Sequence, residues 1–461
     1  MVELNTDYLV IGAGASAMAL VDTLVSETEA DVVLVDRRIA PGGHWVDAYP
    51  FVRLHQPSAY YGVNSLPLGE DRVDTTGINA GFYERATADE LRHYYARALA
   101  NLESTGRVRF FGGTDYLGLD GERHVAVSKV SGRRLEIAVR RRLIDATYIQ
   151  SVIPATHTPR FEVGEGATLI TPNALADLDS ASAGFTLVGG GKTAMDVGFW
   201  LLGHGVDPDR IRWIRPRDGW FTDRAYTQPL EQVGTMLGYQ ARMVEACATA
   251  TTGLDLAHRL EEQGMMCRLD ESVEGEIFRG ATVARAELDA LRTIENVVRL
   301  GRVRSIEATR LHLDQGSLPT APGEIHIDCS AQGLATSEVR PIFDPGRITV
   351  QFTTLGVAPW SAAILGFVES LDIDDDHRNR LCQTVPRTGL IADQLWIAHL
   401  GFVADGARRD HREFAAWNQV CRLNPSRGVE NHAGEPAVQE AFERMFANFE
   451  PAMANLATHA R

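Results

Sequence analysis

A chain of 461 residues is long enough to form two or three domains, each with its own hydrophobic core. Its hydrophobic fraction of 44% and charged fraction of 23% are typical of globular proteins and exclude a largely disordered or fibrous chain. Acidic residues (61) outnumber basic residues (45), and the resulting net charge of −16 disfavours nucleic acid and anionic membrane surfaces as partners.

Neither a membrane span nor a secretion signal is predicted. The longest N-terminal apolar stretch, residues 8–21, is interrupted by two glycines and has no basic region before it. The five cysteines are widely scattered, and no CxxC or other metal-ligand spacing occurs. We therefore expect a cytoplasmic protein without a bound metal.

The first predicted elements form a strand–helix–strand unit. Residues 8–11 are a short apolar strand, residues 17–26 an amphipathic helix, and residues 31–35 a second strand. A glycine-rich loop joins the first strand to the helix. This order is typical of a dinucleotide-binding unit.

Individual residues of this unit have the properties that a dinucleotide requires. Gly12 permits the tight turn, Gly14 lets the backbone approach a pyrophosphate, and Ala17 allows close packing of helix on strand. The N-terminus of the helix offers free N–H groups to the phosphates. Asp36, at the end of the second strand, can accept hydrogen bonds from ribose hydroxyls, and we include the adjacent Arg37 in the cofactor-binding set.

The segment after the second strand carries a GGxW motif at residues 42–45 and a tyrosine–proline stretch at residues 49–58. In both motifs the sequence resembles the flavin-containing monooxygenase superfamily, including its Baeyer–Villiger and N-hydroxylating members. Members of that superfamily carry an Arg, an acid and a Ser beside the flavin after the tyrosine–proline pair. Here Arg53 and Ser58 match, whereas His55 takes the place of the acid.

The resemblance implies that the first dinucleotide is FAD. The residues expected near its ring system come from both motifs: Gly43, His44, Trp45, His55, Gln56 and Ser58. Of the two candidate catalytic residues, Arg53 is expected to stabilise the electron-rich reduced flavin. His55 is expected to transfer a proton, because imidazole titrates near neutral pH. The alternative interpretation of His55 is a half-buried structural residue.

The following elements complete the first part of the flavin domain. We predict a helix at residues 88–102, a strand at 107–111, a hairpin of 126–130 with 134–139, and a strand at 143–147.

A second glycine-rich fingerprint begins about 177 residues after the first. Residues 185–188 form a strand, residues 194–204 a helix, and residues 211–215 the next strand. The cofactor-binding residues expected in the loop between the first strand and the helix are Gly189, Gly191, Lys192 and Thr193. Two complete fingerprints in one chain are typical of a flavoprotein that binds two dinucleotides.

The second fingerprint differs from the first in the charge at the end of its second strand. No acid ends that strand, and Arg215 and Arg217 stand there instead. Guanidinium groups favour a ribose 2′-phosphate through bidentate, charge-assisted contacts, so NADPH is favoured over NADH, which stays possible. The alternative is that both arginines lie on a solvated strand end.

We therefore predict an α/β fold with two Rossmann-like dinucleotide-binding domains, the NAD(P) domain inserted in the FAD domain. The predicted boundaries are 1–150 and 324–405 for the two parts of the FAD domain, 151–323 for the NAD(P) domain and 406–461 for a helical tail. Residues 324–333 are interpreted as the strand that returns to the flavin sheet. That interpretation puts Asp328 near the flavin ribityl chain.

Residues 222–300 are more than a nicotinamide domain requires. Apolar spacing predicts helices at 242–263 and 281–291, a helical excursion that could be a lid, a dimer contact or a further helical layer. Later helices are predicted at 360–371 and 436–457.

Two missing motifs narrow the class of enzyme. No pair of cysteines lies near residues 40–60, which excludes a disulfide reductase. The FxGxxxH linker motif of Baeyer–Villiger enzymes is incomplete, because Phe161 and Gly164 match its start but His157 precedes them and no His follows.

The sequence thus predicts an NADPH-dependent FAD monooxygenase that uses molecular oxygen and acts on a small organic substrate through an oxygen adduct at flavin C4a. Whether it forms a homodimer stays open. One alternative is an NAD(P)H-dependent flavin reductase or dehydrogenase without oxygen insertion. The other is a flavin-binding sensor or scaffold that does not turn over.

Overall fold

The computed structural model describes residues 2–334 and 336–459, which form a mixed α/β protein. Its strands, in chain order, are β1 (Val2–Ile11), β2 (Val32–Asp36), β3 (Val108–Gly112), β4 (Thr114–Asp120), β5 (Arg123–Ser128), β6 (Arg134–Asp145), β7 (Ser151–Val152), β8 (Glu162–Val163), β9 (Thr168–Ile170), β10 (Gly184–Val188), β11 (Ile211–Ile214), β12 (Gly219–Asp223), β13 (Met266–Arg268), β14 (Ile277–Val283), β15 (Val297–Val298), β16 (Val303–Ile306), β17 (Arg310–Leu313), β18 (Gly316–Pro319), β19 (Glu324–Asp328), β20 (Gly333–Leu334), β21 (Phe343–Asp344) and β22 (Arg347–Thr349). Its helices are α1 (Ala15–Glu27), α2 (Ala88–Ser104), α3 (Pro172–Leu175), α4 (Lys192–Gly203), α5 (Val233–Cys247), α6 (Gly253–Glu262), α7 (Arg285–Arg292), α8 (Ala358–Ser370), α9 (Asp375–Leu381), α10 (Gln394–Asp410), α11 (Arg412–Val420) and α12 (Pro436–Ala457).

The first sheet has a parallel core in the order β22-β6-β1-β2-β3, with β21 antiparallel at one edge and the β4–β5 hairpin joined to β6. Every residue of β2 is buried, as expected for a parallel strand covered on both faces. α1 and α8 pack on one face so closely that a Cβ on Gly366 would lie 2.6 Å from the Leu20 carbonyl oxygen. The predicted strand–helix–strand unit at the N-terminus is confirmed.

The second sheet is parallel throughout, in the order β15-β11-β10-β19-β9. Its central strand β10 leads through the second glycine-rich loop into α4, and β11 follows, as the sequence predicts. α4 and α7 cover one face and share a core with buried Leu187, Leu201 and Leu288. Together the two parallel sheets confirm the predicted fold class.

One strand was assigned to the wrong sheet. Residues 324–328 form β19, which pairs with β10 from Gly184↔Glu324 to Val188↔Asp328, so this strand belongs to the second sheet. The chain returns to the first sheet at β22, which pairs with β6. The predicted boundary after residue 323 must therefore move beyond β19, and Asp328 lies beside the second fingerprint.

The excursion at 222–300 contains more than helices. β12 starts just before it and forms a three-stranded sheet with β13 and β14. The helix predicted at 242–263 is two helices, α5 and α6, because the chain turns at residues 248–252 and the backbone of Gly253 packs on that of Ile391. The helix predicted at 281–291 begins at Arg285, since the residues before it belong to β14.

The C-terminal helix covers the excursion. α12 packs on α5 through apolar side chains that include Val438 and Ala441, and its last turns contribute Ala452 and Leu456 to a neighbouring core. This arrangement gives α5 a partner within the same chain. No helix in the described ranges is both long and apolar enough to span a bilayer.

Candidate functional site

The first fingerprint has the backbone geometry of a dinucleotide loop. Gly12 has a φ of +98°, which L side chains rarely adopt, and a Cβ there would lie 3.0 Å from Thr147 Cγ2. Gly14 is the N-cap of α1 and provides no side-chain cap, so the first N–H groups of the helix are available to an anion. Asp36 is buried and accepts a hydrogen bond from Ala13 N at 2.6 Å. This carboxylate stands beside the loop.

The GGxW motif packs directly on that loop. A Cβ on Gly43 would lie 2.9 Å from Gly14 Cα, so the two backbones are in contact. Trp45 is buried, and its indole N–H donates to the Tyr61 hydroxyl at 2.9 Å. His44 is half-buried, and burial lowers its pKa to about 4. The residues present therefore suit a dinucleotide pyrophosphate next to the N-terminus of α1.

The tyrosine–proline stretch links the two fingerprints. The Tyr49 hydroxyl donates to Asp196 Oδ2 on α4 at 2.8 Å, and the ring of Phe51 stacks on Trp200 with 5.1 Å between centroids. Burial and the Asp196 charge keep the pKa of Tyr49 well above its ordinary value, so its hydroxyl stays protonated and donates. Asp196 and Trp200 were not predicted as site residues, because their positions on the helix do not indicate that they contact the tyrosine–proline stretch.

Arg53 does not point where the sequence suggested. Its side chain is exposed, and its guanidinium donates to the Arg85 carbonyl oxygen at 3.1 Å, while Val52 and Leu54 on either side are buried. None of the contacts described for Arg53 involves a fingerprint. The arginine that faces inward is Arg85, which is 7% exposed and donates to the Leu54 carbonyl oxygen at 3.1 Å.

His55 does not titrate near neutral pH as the sequence predicts. The ring is half-buried, and burial, reinforced by the nearby Lys192, lowers the pKa of His55 to about 4. The imidazole is therefore neutral at neutral pH. The His55 carbonyl oxygen accepts a hydrogen bond from Thr282 Oγ1 at 2.5 Å, which fixes the backbone against β14.

Two neighbours of His55 in the predicted set differ in their contacts. Ser58 is buried, and its hydroxyl accepts a hydrogen bond from Ala86 N at 2.9 Å, which gives it a structural role. Gln56 is half-buried, and Arg37 is exposed on the loop after β2.

The second fingerprint also approaches its neighbours through bare backbone. Gly189 has a φ of +133°, and a Cβ there would lie 2.6 Å from the Cys329 carbonyl oxygen. A Cβ on Gly190 would lie 2.6 Å from the Arg217 carbonyl oxygen. Gly191 caps α4 without a side-chain hydrogen bond, which leaves the first N–H groups of that helix available to phosphates. Thr193 follows within the first turn and is half-buried.

Lys192 is not free to bind a phosphate. Its side chain is 8% exposed, forms an ion pair with Asp196, and lies 2.7 Å from Glu287 Oε1. Glu287 in turn contacts Arg224 Nη2 at 2.8 Å. Burial alone would raise the pKa of Glu287, but the adjacent Lys192 and Arg224 lower it below its usual range. Lys192 therefore belongs to a buried ion-pair network.

Of the two arginines predicted for a 2′-phosphate, only Arg217 is exposed. Arg215 is 4% exposed, lies over the ring of Trp213, and pairs with Asp218 at 3.4 Å, which corrects its assignment. A second candidate comes from β14. Burial, together with the positive charge of Arg217, lowers the pKa of Arg279. Arg279 is remote from Arg217 in the sequence, which is why no local pattern revealed it.

Asp328 occupies the second site, not the flavin site. It pairs with Val188 in the β10–β19 register and accepts a hydrogen bond from Ser330 N at 2.9 Å. His157 Nε2 lies 3.9 Å from Asp328 Oδ2. The histidine that precedes the incomplete linker motif is thus brought to the edge of the second fingerprint.

Other features do not compete with this site. A surface cavity of about 410 Å³ is lined by residues that include Tyr8, Arg142 and Glu369, and none of its lining residues belongs to either glycine-rich loop. The described residues contain no cluster of three or more His, Cys, Asp or Glu side chains that could hold a metal ion.

No family model matches the sequence. The chain is 42% identical over 427 residues to the uncharacterized protein Rv2000 of Mycobacterium tuberculosis. The alignment covers 91% of this chain and 78% of the relative. A Mycobacterium bovis protein, also described as uncharacterized, matches with the same values.

Solved structures resemble the fold at low identity. The open crystal structure of cyclohexanone monooxygenase aligns with a TM-score of 0.51 and 13% identity over 88% of this chain and 99% of that one. A variant of the Rhodococcus sp. Phi1 cyclohexanone monooxygenase bound to NADP+ aligns with a TM-score of 0.50 and 13% identity over 88% and 98%. The chain therefore belongs to the same family as the mycobacterial protein Rv2000, and its fold is similar to that of cyclohexanone monooxygenase.

Proposed function

We propose that this protein is an NADPH-dependent FAD monooxygenase that acts on a small organic substrate. The proposal rests on one observation. Two glycine-rich loops lead into helices, α1 and α4, whose N-termini lack a side-chain cap, and the hydrogen bond from Tyr49 to Asp196 joins the tyrosine–proline stretch to α4. Similarity in fold to cyclohexanone monooxygenase, including a form bound to NADP+, supports it.

Each cofactor has a set of residues that suits it. FAD would be held by the N-terminus of α1, the backbone of Gly14 and Gly43, and the Asp36 carboxylate. NADPH would be held by the N-terminus of α4, with Arg217 and Arg279 at its 2′-phosphate. When bound, FAD supplies hydride acceptance and oxygen activation, which no protein side chain provides.

The chain's own residues position the reactants and exclude water. Tyr49 and Phe51 fix the tyrosine–proline stretch on α4, so the segment that carries His55 keeps its place between the two loops. The neutral imidazole of His55 can donate a hydrogen bond from its single N–H and accept one at its other ring nitrogen without adding charge to the site.

A second candidate is a flavin reductase or dehydrogenase without oxygen insertion. The incomplete FxGxxxH motif favours it, because the linker of the Baeyer–Villiger enzymes is not preserved here.

An anaerobic absorbance titration of the purified protein tests these possibilities. We expect a bound flavin that NADPH bleaches rapidly and NADH bleaches much more slowly. On readmission of air, oxygen consumption matched to product would support the monooxygenase, whereas product without oxygen consumption would support the reductase. A flavin that neither nucleotide reduces would contradict both, and a colourless protein that cannot be reconstituted with FAD would refute the flavoprotein assignment.

A further inference from the structure

Buried charged side chains meet where α4, β12 and the tyrosine–proline stretch come together. We call this group the interdomain cluster: Lys192, Arg224, Arg85, Asp196, Glu287 and His55. Three of its members are cations, two are carboxylates, and His55 is neutral at neutral pH. The cluster therefore carries one positive charge in excess.

Arg224 has an incomplete set of hydrogen-bond partners. Its side chain is completely buried, and only Nη2 has a partner, Glu287 Oε2 at 2.8 Å. Nε and Nη1 are buried and have no hydrogen-bond partner among the described residues. Buried N–H groups of a charged side chain are costly when unpaired, since they have lost water and gained nothing in return.

Arg85 adds the second incompletely compensated cation. It donates to two neutral oxygens, Asn79 Oδ1 and the Leu54 carbonyl oxygen, each at 3.1 Å. No carboxylate described here forms an ion pair with it. Burial lowers the pKa of Arg85 to about 10, and the positive charge of Arg224 contributes to the shift. Gln228 links the two segments, because its amide oxygen accepts from Tyr83 N and its amide N–H donates to the Arg224 carbonyl oxygen, each at 2.9 Å.

The cluster lies at the junction where the proposed reaction takes place. Lys192 and Asp196 belong to the first turns of α4, and His55 lies in the stretch that resemblance puts beside the flavin. His55, Lys192 and Asp196 are half-buried rather than fully buried, so this side of the cluster is partly open to solvent. The phosphates of NADPH have their own partners, namely the helix N-terminus, Arg217 and Arg279, and do not require the cluster.

We propose that Arg224 and Arg85 bind the carboxylate group of the substrate, so that the enzyme acts on an organic acid. This inference rests on the proposed monooxygenase function and gives its substrate class. A carboxylate would neutralise the excess charge and accept hydrogen bonds from the free guanidinium N–H groups, an arrangement for which planar Arg side chains are well suited.

Matched acids and amides test the proposal with the flavin-loaded protein. Benzoate and hexanoate are compared with benzamide and hexanamide, at constant ionic strength, by perturbation of the flavin absorbance and by the shift in Tm. We expect at least one acid of the set to bind 10-fold or more tightly than its amide. Equal binding of acids and amides, or no binding of either acid, would overturn the proposal.

Variants test whether the preference arises in the cluster. Arg224→Gln and Arg85→Gln should each abolish the preference for the acid, whereas Arg97→Gln, an exposed arginine on α2, should keep it. If Arg224→Gln fails to fold, Glu287→Gln provides the opposite change. It removes a negative charge from the cluster, so the excess positive charge rises and the acid should bind more tightly. A preference unaffected by the cluster variants would refute the assignment.

The nicotinamide cofactor is the other source of an anion at this site. If NADP+ competes with benzoate in proportion to its concentration, and if Arg85→Gln lowers the affinity for NADP+, the cluster binds the cofactor. That result would overturn the substrate proposal. Reduction of the flavin by NADPH is measured separately. Normal reduction without an acid preference would leave the proposed function standing while this inference fails.

Discussion

Gly43 illustrates how a single backbone contact constrains the first site. It combines a φ of +61° with a backbone that touches Gly14, so Gly43→Ala brings both conformational strain and a clash. We expect this variant to lose most of its bound FAD, measured as the ratio of flavin to protein after gel filtration. Gly77→Ala is the matched control, because its φ is +72° but nothing lies within 4 Å. Retention of flavin by both variants would contradict the assignment of this loop.

In the proposed function, Arg217 and Arg279 would select NADPH over NADH. Charge-assisted hydrogen bonds to a phosphate contribute about 1.5–3 kcal/mol each. We therefore expect Arg217→Ala or Arg279→Ala to raise KM for NADPH about 10-fold to 100-fold while changing KM for NADH little. Arg215→Ala should instead lower stability, because that side chain is buried between Trp213 and Asp218. Parallel losses with both cofactors would argue against 2′-phosphate recognition.

His44 in the GGxW motif should make the stability of the protein depend on pH. Burial lowers its pKa to about 4 from an ordinary value of 6.5, so the unfolded chain binds a proton more readily than the folded one. The contribution of His44 to stability is therefore complete above pH 6.5 and is lost as the pH falls towards 4. His44→Gln should lose less stability than the wild type between pH 7 and pH 5, by on the order of 1 kcal/mol in urea unfolding. Exposed His93→Gln is the control, and identical pH dependence of the His44 variant and wild type would contradict the prediction.

At the scale of elements, local sequence patterns predicted the two strand–helix–strand units, but they did not predict which distant strands pair with each other. β1, α1 and β2 could be predicted because strand, glycine loop and helix are contiguous in sequence. β19 was assigned to the wrong sheet because a short apolar strand carries no information about its neighbours. The burial of Arg215 could not be predicted for a related reason. Its ion pair with Asp218 is local, but Asp270, another carboxylate within 4 Å of its guanidinium, is distant in the sequence.

The contact between α1 and α8 gives a test at the level of packed helices. Gly366→Ala would drive a Cβ to 2.6 Å from the Leu20 carbonyl oxygen, so the helices must separate. We expect a loss of roughly 1–3 kcal/mol in the free energy of unfolding. Gly406→Ala in α10, where nothing lies within 4 Å, should instead be neutral or stabilising by up to about 1 kcal/mol. Equal effects of the two substitutions would show that the close approach does not limit packing.

At the scale of the whole molecule, both ends of the chain stabilise regions distant in sequence. The last helix, α12, covers α5 of the excursion, and α8 covers α1 of the first fingerprint. The sequence indicated that α12 is helical, but its amphipathic face did not show which partner it covers. The excursion is consequently fastened by residues that follow the second part of the flavin domain, and a lid made of α5 would have to break this contact.

A small contact joins the tyrosine–proline stretch to α4 of the second fingerprint, and it leads to a prediction about the rate of catalysis. Phe51 stacks on Trp200, and together with the bond from Tyr49 to Asp196 it fixes the flavin-side stretch on α4. Phe51→Ala should slow the reduction of flavin by NADPH about 10-fold to 100-fold, because misplacement by roughly 1 Å has effects of that size on a reaction between two bound groups.

Binding of each cofactor to this variant should change little, since neither loop is altered. Stopped-flow reduction and separate titrations of FAD and NADP+ distinguish the two effects. Phe446→Ala, an aromatic side chain on α12 that is 80% exposed, is the control for loss of a ring. If Phe51→Ala reduced its flavin at the wild-type rate, the stacking contact would not set the distance between the cofactors, and the bond from Tyr49 to Asp196 alone would have to do so.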